Sequence, residues 1–137
     1  MRYLGLDFGR ARIGLALADD VLKTARPLET VERRGDVADL ARLRRVAAEW
    51  EVSRAVVGLP LNMDGTEGGS ARLARAFARK LSEELALPVE LFDERLSTFE
   101  AEVRLRDRGL GAREQRGVID AEAAAVILQG WLESRSA

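Results

Sequence analysis

The sequence of 137 residues predicts an α/β fold, in which a mixed central sheet carries helices on both faces. Three short apolar runs without helical periodicity open the chain, which is typical of strands that meander antiparallel. Amphipathic stretches then alternate with short apolar runs, which is typical of parallel strands joined by helical crossovers. The expected order is β-β-β-α-β-α-β-α-α, in a single domain over residues 1–137.

The antiparallel part of the sheet is predicted from the first three runs. Two of them are Tyr3–Leu6 and Ile13–Leu17. The third, Thr24–Val31, contains Pro27 and is therefore expected to be irregular or to lie at an edge. A helix is expected over residues 36–50 because its apolar residues share one face. Those residues are Leu40, Leu43, Ala47 and Trp50.

The parallel part is predicted from Arg54–Leu59 and Val89–Phe92, two short apolar runs typical of strands buried on both faces. Residues 60–70 (PLNMDGTEGGS) are expected to form a loop, because they combine Asn and Asp with glycines. Ser70–Leu85 is expected to be a helix. Its predicted buried face carries Leu73, Phe77 and Leu81.

Two further helices are expected near the end of the chain. Ser97 and Glu100 have the spacing of a capping box, so one helix is expected from Thr98 to about Arg108. Residues 109–117 are polar and contain glycines, and are expected to form a connection. The last helix is expected over residues 119–132.

The composition excludes several kinds of chemistry. The chain contains no Cys and no His, so disulfides, thiolate metal sites, cysteine nucleophiles and imidazole bases are all excluded. Catalysis would have to use carboxylates, lysine, hydroxyls or a metal held by oxygen. There is neither a signal peptide nor an apolar run near the ~20 residues that span a bilayer, so we expect a cytoplasmic protein with no membrane partner.

The basic residues leave two interpretations open. The net charge of −1 indicates no particular partner, but of the 22 basic side chains only Lys23 and Lys80 are lysines. Arginine binds phosphate through two parallel hydrogen bonds and is favoured in nucleic-acid contacts. A GC-rich genome and solvated helix faces would give the same excess.

Three acidic residues are expected to meet at one edge of the sheet. Asp7 ends the first predicted strand, Glu94 follows the last one, and Asp120 opens the final helix. The carboxyl ends of parallel strands form a crevice in which ligands bind. Each residue also has an ordinary explanation: a turn for Asp7, a surface ion pair with Arg95 for Glu94, and a helix-dipole contact for Asp120. Together they would form an oxygen-rich site suited to Mg²⁺ or Mn²⁺, as in metal-assisted phosphodiester hydrolysis.

The residues around Asp7 fit such a site. Gly5, Gly9 and Gly14 would let a phosphate backbone approach, although tight hairpin packing explains them equally well. Arg10 and Arg12 lie in the predicted turn, within reach of phosphate oxygens. Sugar kinases and actin-like ATPases begin with a similar Asp-Gly hairpin. An ATP-binding domain and a non-catalytic nucleic-acid or ribosome-assembly factor therefore remain alternatives.

Four segments together resemble the YqgF family of bacterial proteins, in the right order and over nearly the whole chain. They are GLDFGRARIGLALAD, VVGLPLNMDGTEG, FDERLST and RGVIDAEAAAVILQGWL. Members are described as nucleases that mature the end of pre-16S ribosomal RNA and as Holliday junction resolvases. The resemblance implies a ribonuclease H-like fold and a nuclease that depends on Mg²⁺ or Mn²⁺.

The resemblance also implies roles for individual residues. Asp7, Glu94 and Asp120 match the family's catalytic, metal-binding carboxylates, and Asp93 lies beside them. Substrate contacts are expected for seven further residues, two of which, Arg10 and Arg12, are already indicated by their place in the turn, and Asp64 is expected to position substrate together with Asn62. The substrate would be RNA or branched DNA, ribosome precursors are implied partners, and junction cleavage would require a homodimer. The seven residues are Arg10, Arg12, Asn62, Arg95, Ser97, Thr98 and Arg116.

Three positions depart from the family pattern, and the first is Ala18, which stands where Ser often precedes Asp19. Arg116-Gly117 stands where Lys-Gly is usual, which keeps the charge but changes its geometry. Ala123 stands where related resolvases carry a fourth acidic residue.

Overall fold

The computed structural model describes residues 1–95 and 112–135, which form a five-stranded sheet with helices on both faces. The strands are β1 (Arg2–Phe8), β2 (Arg12–Asp19), β3 (Arg26–Glu32), β4 (Val52–Leu59) and β5 (Val89–Asp93). The helices are α1 (Asp36–Glu49), α2 (Gly69–Leu85) and α3 (Ala112–Arg135). Within these described ranges, no helix has an apolar stretch long enough to cross a membrane.

The sheet is mixed, as the sequence predicts. Its strand order is β3-β2-β1-β4-β5. The β1–β2 and β2–β3 pairs are antiparallel, and the β1–β4 and β4–β5 pairs are parallel. The carboxyl ends of β1, β4 and β5 therefore lie at the same edge of the sheet.

The sequence predicts the outer strand β3 correctly but predicts the burial of the other outer strand, β5, incorrectly. β3 lies at an edge and its pairing with β2 shifts register next to Pro27, as expected. The prediction that Val89–Phe92 is buried on both faces is wrong. β5 is also an outer strand of the described sheet, and its side chains are half-buried or exposed.

Side chains alternate between two apolar layers along the strands. Leu4 and Leu6 of β1 pack in the same layer as Leu43 of α1 and Phe77 of α2. Tyr3 faces the other way and packs against α3, where its ring meets Trp131 edge-on at 5.0 Å. Because Asp7 follows the same alternation as Tyr3, it belongs to the α3 side of the sheet.

The buried faces of α1 and α2 differ in part from the prediction. In α1 the buried residues are Asp39, Leu43, Val46 and Ala47, while the predicted Leu40 and Trp50 are half-buried. In α2, Leu73 is 46% exposed, so its predicted burial is wrong. Alanines complete that face instead, because their small side chains let α2 lie close to the sheet. They are Ala71, Ala74 and Ala78.

α3 is longer than the sequence predicts. It begins at Ala112, so the expected connection over residues 109–117 is wrong for residues 112–117. These residues are mostly good helix formers, and one internal glycine, Gly117, is tolerated at a cost of about 1 kcal/mol. The helix expected over Thr98–Arg108, and residues 109–111, lie outside the described residues.

Candidate active site

Asp7 lies inside β1 and does not end it, contrary to the prediction, because the strand continues to Phe8. It pairs in register with Gly14 of β2. Its carboxyl group is half-buried on the side of the sheet that α3 covers. A turn explanation for Asp7 is therefore wrong.

Glu94 is the first residue after β5, as predicted. Its backbone N–H donates to the carbonyl of Leu59 at the end of β4 (3.2 Å). Its side chain runs across Gly58, where a Cβ atom would overlap the Glu94 Oε2 atom and the Ile127 side chain. Gly58, which the sequence analysis did not single out, therefore provides the space that Glu94 occupies.

The Asp7 and Glu94 side chains meet in a hydrogen bond. Burial raises the pKa of Asp7 to about 6, helped by the charge of Asp120 and opposed by the hydrogen bond. Burial raises the pKa of Glu94 to about 8, reinforced by the charge of Asp7, the shared hydrogen bond and Asp93. Two carboxyl groups this close cannot both ionise without a cation, so near neutral pH they share a proton.

Asp120 is the ninth residue of α3, so the prediction that it opens the helix is wrong. A contact with the dipole of the first turn no longer explains it, because that effect fades within one turn. Its carboxylate accepts a hydrogen bond from Arg12 Nε at 2.6 Å, in a half-buried ion pair. Its charge also acts on Asp7, which places the two groups close together.

The three predicted carboxylates thus share one edge of the sheet but do not form one cluster. Asp7 and Glu94 are in contact, whereas Asp120 is paired with Arg12. Within residues 1–95 and 112–135, no three acidic side chains converge closely enough to surround a metal ion. Asp93, beside Glu94, is held by Arg95, whose Nε–H and backbone N–H both donate to it.

Two glycines near Asp7 serve helix packing. A Cβ atom on Gly14 would overlap the backbone carbonyl of Asp120, and one on Gly5 would lie 2.8 Å from Leu128 Cβ. α3 therefore occupies the space that these residues leave open, and the expectation that they admit a phosphate backbone is wrong. Gly9 lies in the tight β1–β2 turn, where its N–H donates to the carbonyl of Arg12 (2.9 Å).

The predicted basic residues have different surroundings. Arg10 is exposed beside Gly69 at the start of α2 and forms no ion pair with any described residue. Arg12 and Arg95 each hold a carboxylate of the site. Arg116 belongs to α3, four residues before Asp120, but its side chain lies outside the described residues. Ser97 and Thr98 also lie outside them.

Asn62 stabilises its own loop. Its side-chain amide donates to Thr66 Oγ1 (3.0 Å), and its N–H donates to the carbonyl of Thr66 (2.8 Å). Asp64 accepts hydrogen bonds from the N–H and the hydroxyl of Thr66. Arg95 reaches the loop at the carbonyl of Met63 (3.4 Å), so Arg95 of the segment FDERLST contacts the segment VVGLPLNMDGTEG.

Arg33 and Asp39 are a polar pair that the sequence analysis missed. Arg33 Nε donates to the buried Asp39 carboxylate at 2.6 Å, and its guanidinium lies over the Phe8 ring, 4.6 Å from the centroid. It also donates to the carbonyl of Gly9 (3.3 Å). The signal was available in the sequence, since Asp39 precedes Leu43 by one helical turn on the buried face. An acidic residue at such a position predicts a buried ion pair.

The donor set fits a hard divalent cation. Asp7 and Glu94 are oxygen donors whose shared proton a cation can replace, because metal ligands must be deprotonated. Asp120 would add a third oxygen ligand if Arg12 turned away from it. No imidazole or thiolate competes, since the chain contains neither His nor Cys.

Comparison with known proteins gives concordant results. The family described as "RuvX: Holliday junction resolvase" matches residues 1–134. A protein of Anaeromyxobacter sp. (strain Fw109-5) named "Putative pre-16S rRNA nuclease" is 71% identical over the full length of both chains. A protein of Symbiobacterium thermophilum with the same name is 50% identical over 100% of this chain and 95% of its own.

Solved structures confirm the predicted ribonuclease H-like fold. "T. thermophilus RuvC in complex with Holliday junction substrate" aligns with a TM-score of 0.63 and 22% identity. The alignment covers 99% of this chain and 96% of the other. At this level of identity the match bears on the fold alone.

Proposed function

This chain belongs to the RuvX family, which the sequence motifs indicated under the name YqgF, and we propose that it is a metal-dependent nuclease that matures the end of precursor 16S ribosomal RNA. The contact between the Asp7 and Glu94 carboxyl groups supports the proposal most directly. Two half-buried carboxyl groups in contact, both with raised pKa values, are typical of a site that binds a divalent cation. We propose a cytoplasmic location for the same function.

Asp7, Glu94 and Asp120 would hold the metal. When bound, a divalent cation lowers the pKa of a water molecule and stabilises negative charge on phosphate oxygens. The protein contributes position: Asp7 is fixed by the β1–β2 ladder, Glu94 by its N–H bond to Leu59, and Asp120 by the packing of α3 on Gly14. Side chains fixed in this way need little reorganisation when substrate binds.

Arg12 can donate hydrogen bonds either to Asp120 or to a substrate phosphate. In the structure it neutralises Asp120. A substrate phosphate would offer the guanidinium an alternative acceptor, able to take two hydrogen bonds, which would free Asp120 for the metal. Arg10, which forms no ion pair with the described residues, is the basic side chain best able to bind phosphate at the rim without breaking an existing contact.

The proposal is tested by comparing wild type, Asp7→Asn and the surface variant Glu83→Gln with Mn²⁺ or Mg²⁺. The substrates are a precursor 16S RNA end, an unrelated single-stranded RNA and a four-way DNA junction. We expect wild type and Glu83→Gln to cut the precursor end, and Asp7→Asn to lose at least 10²-fold in rate because a metal ligand is missing.

Each other outcome has a distinct meaning. Paired symmetric cuts in the DNA junction alone would identify a resolvase, the activity in the family's description. Binding without Asp7-dependent cutting would identify a ribosome-assembly factor. Normal cleavage by Asp7→Asn would contradict the assignment of the site.

A further inference from the structure

A groove between β3 and α1 carries arginines that the active site does not use. It is open to solvent, and its volume of about 470 Å³ is in the range of small-ligand sites. Its exposed side chains are polar apart from Ala38, so it offers charge and little apolar surface. Its lining includes Thr30, Glu32, Arg34, Ala38, Arg42 and Arg45.

The groove has an excess of positive charge. Asp39, buried at its base, is neutralised by Arg33 at 2.6 Å. Arg42 shares its charge with Glu29 (2.9 Å). The exposed guanidinium groups of Arg34 and Arg45 form no ion pair with any described residue.

One acidic residue, Glu32, also lines the groove. It pairs in register with Arg12 across the β2–β3 ladder, and its charge acts weakly on Arg12. It offsets part of the charge of Arg34 and Arg45, and because those two arginines outnumber it the groove remains positive.

The groove begins next to the candidate active site. β3 ends at Glu32, opposite Arg12, and the N–H of Arg33 donates to the carbonyl of Ala11 (2.9 Å). Arg12 also contacts Asp120, so the upper end of the groove lies at the same edge of the sheet as the carboxylates, which are on the opposite face from α1.

The groove then runs down α1, away from the site. Ala38, Arg42 and Arg45 are spaced four and three residues apart and so share one face of the helix. At 1.5 Å per residue this face extends about 10 Å, which is long enough to lie along more than one phosphate of a strand.

We propose that this groove binds the sugar-phosphate backbone of the substrate strand at nucleotides beyond the bond that is cut. The inference rests on the proposed function and extends it to the flank of the substrate. Arginine suits this ligand because its planar fork matches two phosphate oxygens. An acidic polypeptide fits less well, because the groove lacks an apolar surface on which its side chains could pack.

The test measures binding in EDTA, so that no strand is cut, as a function of salt. The groove variant is Arg34→Gln/Arg45→Gln, and the matched control is Arg44→Gln/Arg79→Gln, which removes the same charge from other exposed positions of α1 and α2. The probes are a 20-nucleotide RNA, DNA of the same sequence, a 5-nucleotide RNA and poly-glutamate.

We expect the groove variant to bind the 20-nucleotide strands about tenfold more weakly and to lower the salt slope by about 1.4, since each phosphate contact contributes about 0.7. The 5-nucleotide RNA and the control variant should show little change. A larger loss of affinity for RNA than for DNA would identify a ribonucleotide strand as the ligand. Equal losses of affinity for RNA and DNA would show that the groove binds either kind of strand.

Equal slopes and affinities for the groove and control variants would overturn the proposal. An equal loss of binding to poly-glutamate would also overturn it, in favour of an acidic protein partner. Because binding is measured without turnover, a protein that cuts no substrate refutes the proposed function while the groove remains testable.

Discussion

At the residue scale, the Asp7–Glu94 contact controls how the candidate site responds to pH. Both pKa values are raised above those of the unfolded chain, to about 6 and about 8. The folded state therefore binds more protons than the unfolded state between about pH 4 and pH 8. The stability that this pair contributes is fully present below about pH 4 and is lost as pH rises through the folded-state values.

We therefore predict that the metal-free protein loses stability between pH 5 and pH 8. The free energy of unfolding in urea should fall over this interval for wild type and Glu83→Gln, and should fall less for Asp7→Asn, which removes one charge of the pair. Urea unfolding curves at pH 5, 6.5 and 8 in EDTA measure this free energy of unfolding. Parallel curves for wild type and Asp7→Asn would contradict the prediction.

A divalent cation should reverse this trend. We predict that Mn²⁺ raises the Tm of wild type more at pH 8 than at pH 5.5, because the cation binds the deprotonated pair. At 100 times its Kd, a ligand adds about 2.7 kcal/mol to stability. Thermal unfolding with and without Mn²⁺ measures the shift. The same shift in Asp7→Asn would mean that the ion binds elsewhere.

At the scale of elements, α3 is positioned by the glycines beneath it. The backbone of Asp120 lies directly against Gly14 of β2, so a side chain there would collide with main chain that cannot rotate away. The position of Asp120 relative to Asp7 depends on this close approach.

We predict that Gly14→Ala destabilises the fold by about 1–3 kcal/mol, the usual cost of overpacking, and weakens Mn²⁺ binding by moving Asp120. Gly69→Ala is the matched control, because a Cβ there would meet only Arg10, at 3.8 Å. Urea unfolding and Mn²⁺ titration of both variants measure the effects. A Gly14→Ala protein with wild-type Mn²⁺ affinity would show that Asp120 does not depend on this contact.

At the scale of the whole molecule, the sequence predicts the topology well and the packing between elements less well. Apolar runs and Pro27 predict the mixed sheet and its edge strand, because these signals are local. The function of Gly14 depends on a helix more than 100 residues away, and no local pattern identifies that neighbour. Leu73 fits the helical period but is exposed, since burial depends on what lies opposite.

In the candidate site too, the sequence predicts features that depend on local patterns and misses contacts between distant parts of the chain. Asp7 and Glu94 were predicted from expected positions at strand ends, and although Asp7 lies one residue inside β1, their contact follows from parallel pairing through β4. The Arg12–Asp120 ion pair was not predicted, because it joins the first residue of β2, which the sequence analysis placed in a turn, to a helix whose start the sequence misplaced.

Both faces of the sheet share the strands β1 and β2, so we expect the two layers to unfold together. Leu128 of α3 is fully buried against Gly5, on the face opposite α1 and α2. We predict that Leu128→Ala costs about 2–5 kcal/mol and lowers the Tm by roughly 10 °C. Leu73→Ala, which removes a half-exposed side chain, should change stability by no more than about 0.5 kcal/mol.

The fluorescence of the tryptophans can show whether Leu128→Ala lowers the stability of both layers or of the α3 layer alone. Trp131 packs beside Leu128, whereas Trp50 packs in the α1–α2 layer. In a Trp131→Phe background, fluorescence reports on Trp50 alone and circular dichroism on the whole chain. Adding Leu128→Ala should lower both midpoints equally, because the shared strands couple the layers. If the Trp50 midpoint stayed unchanged while the helical signal fell earlier, α3 would unfold independently and carry Asp120 away from a sheet that is still folded.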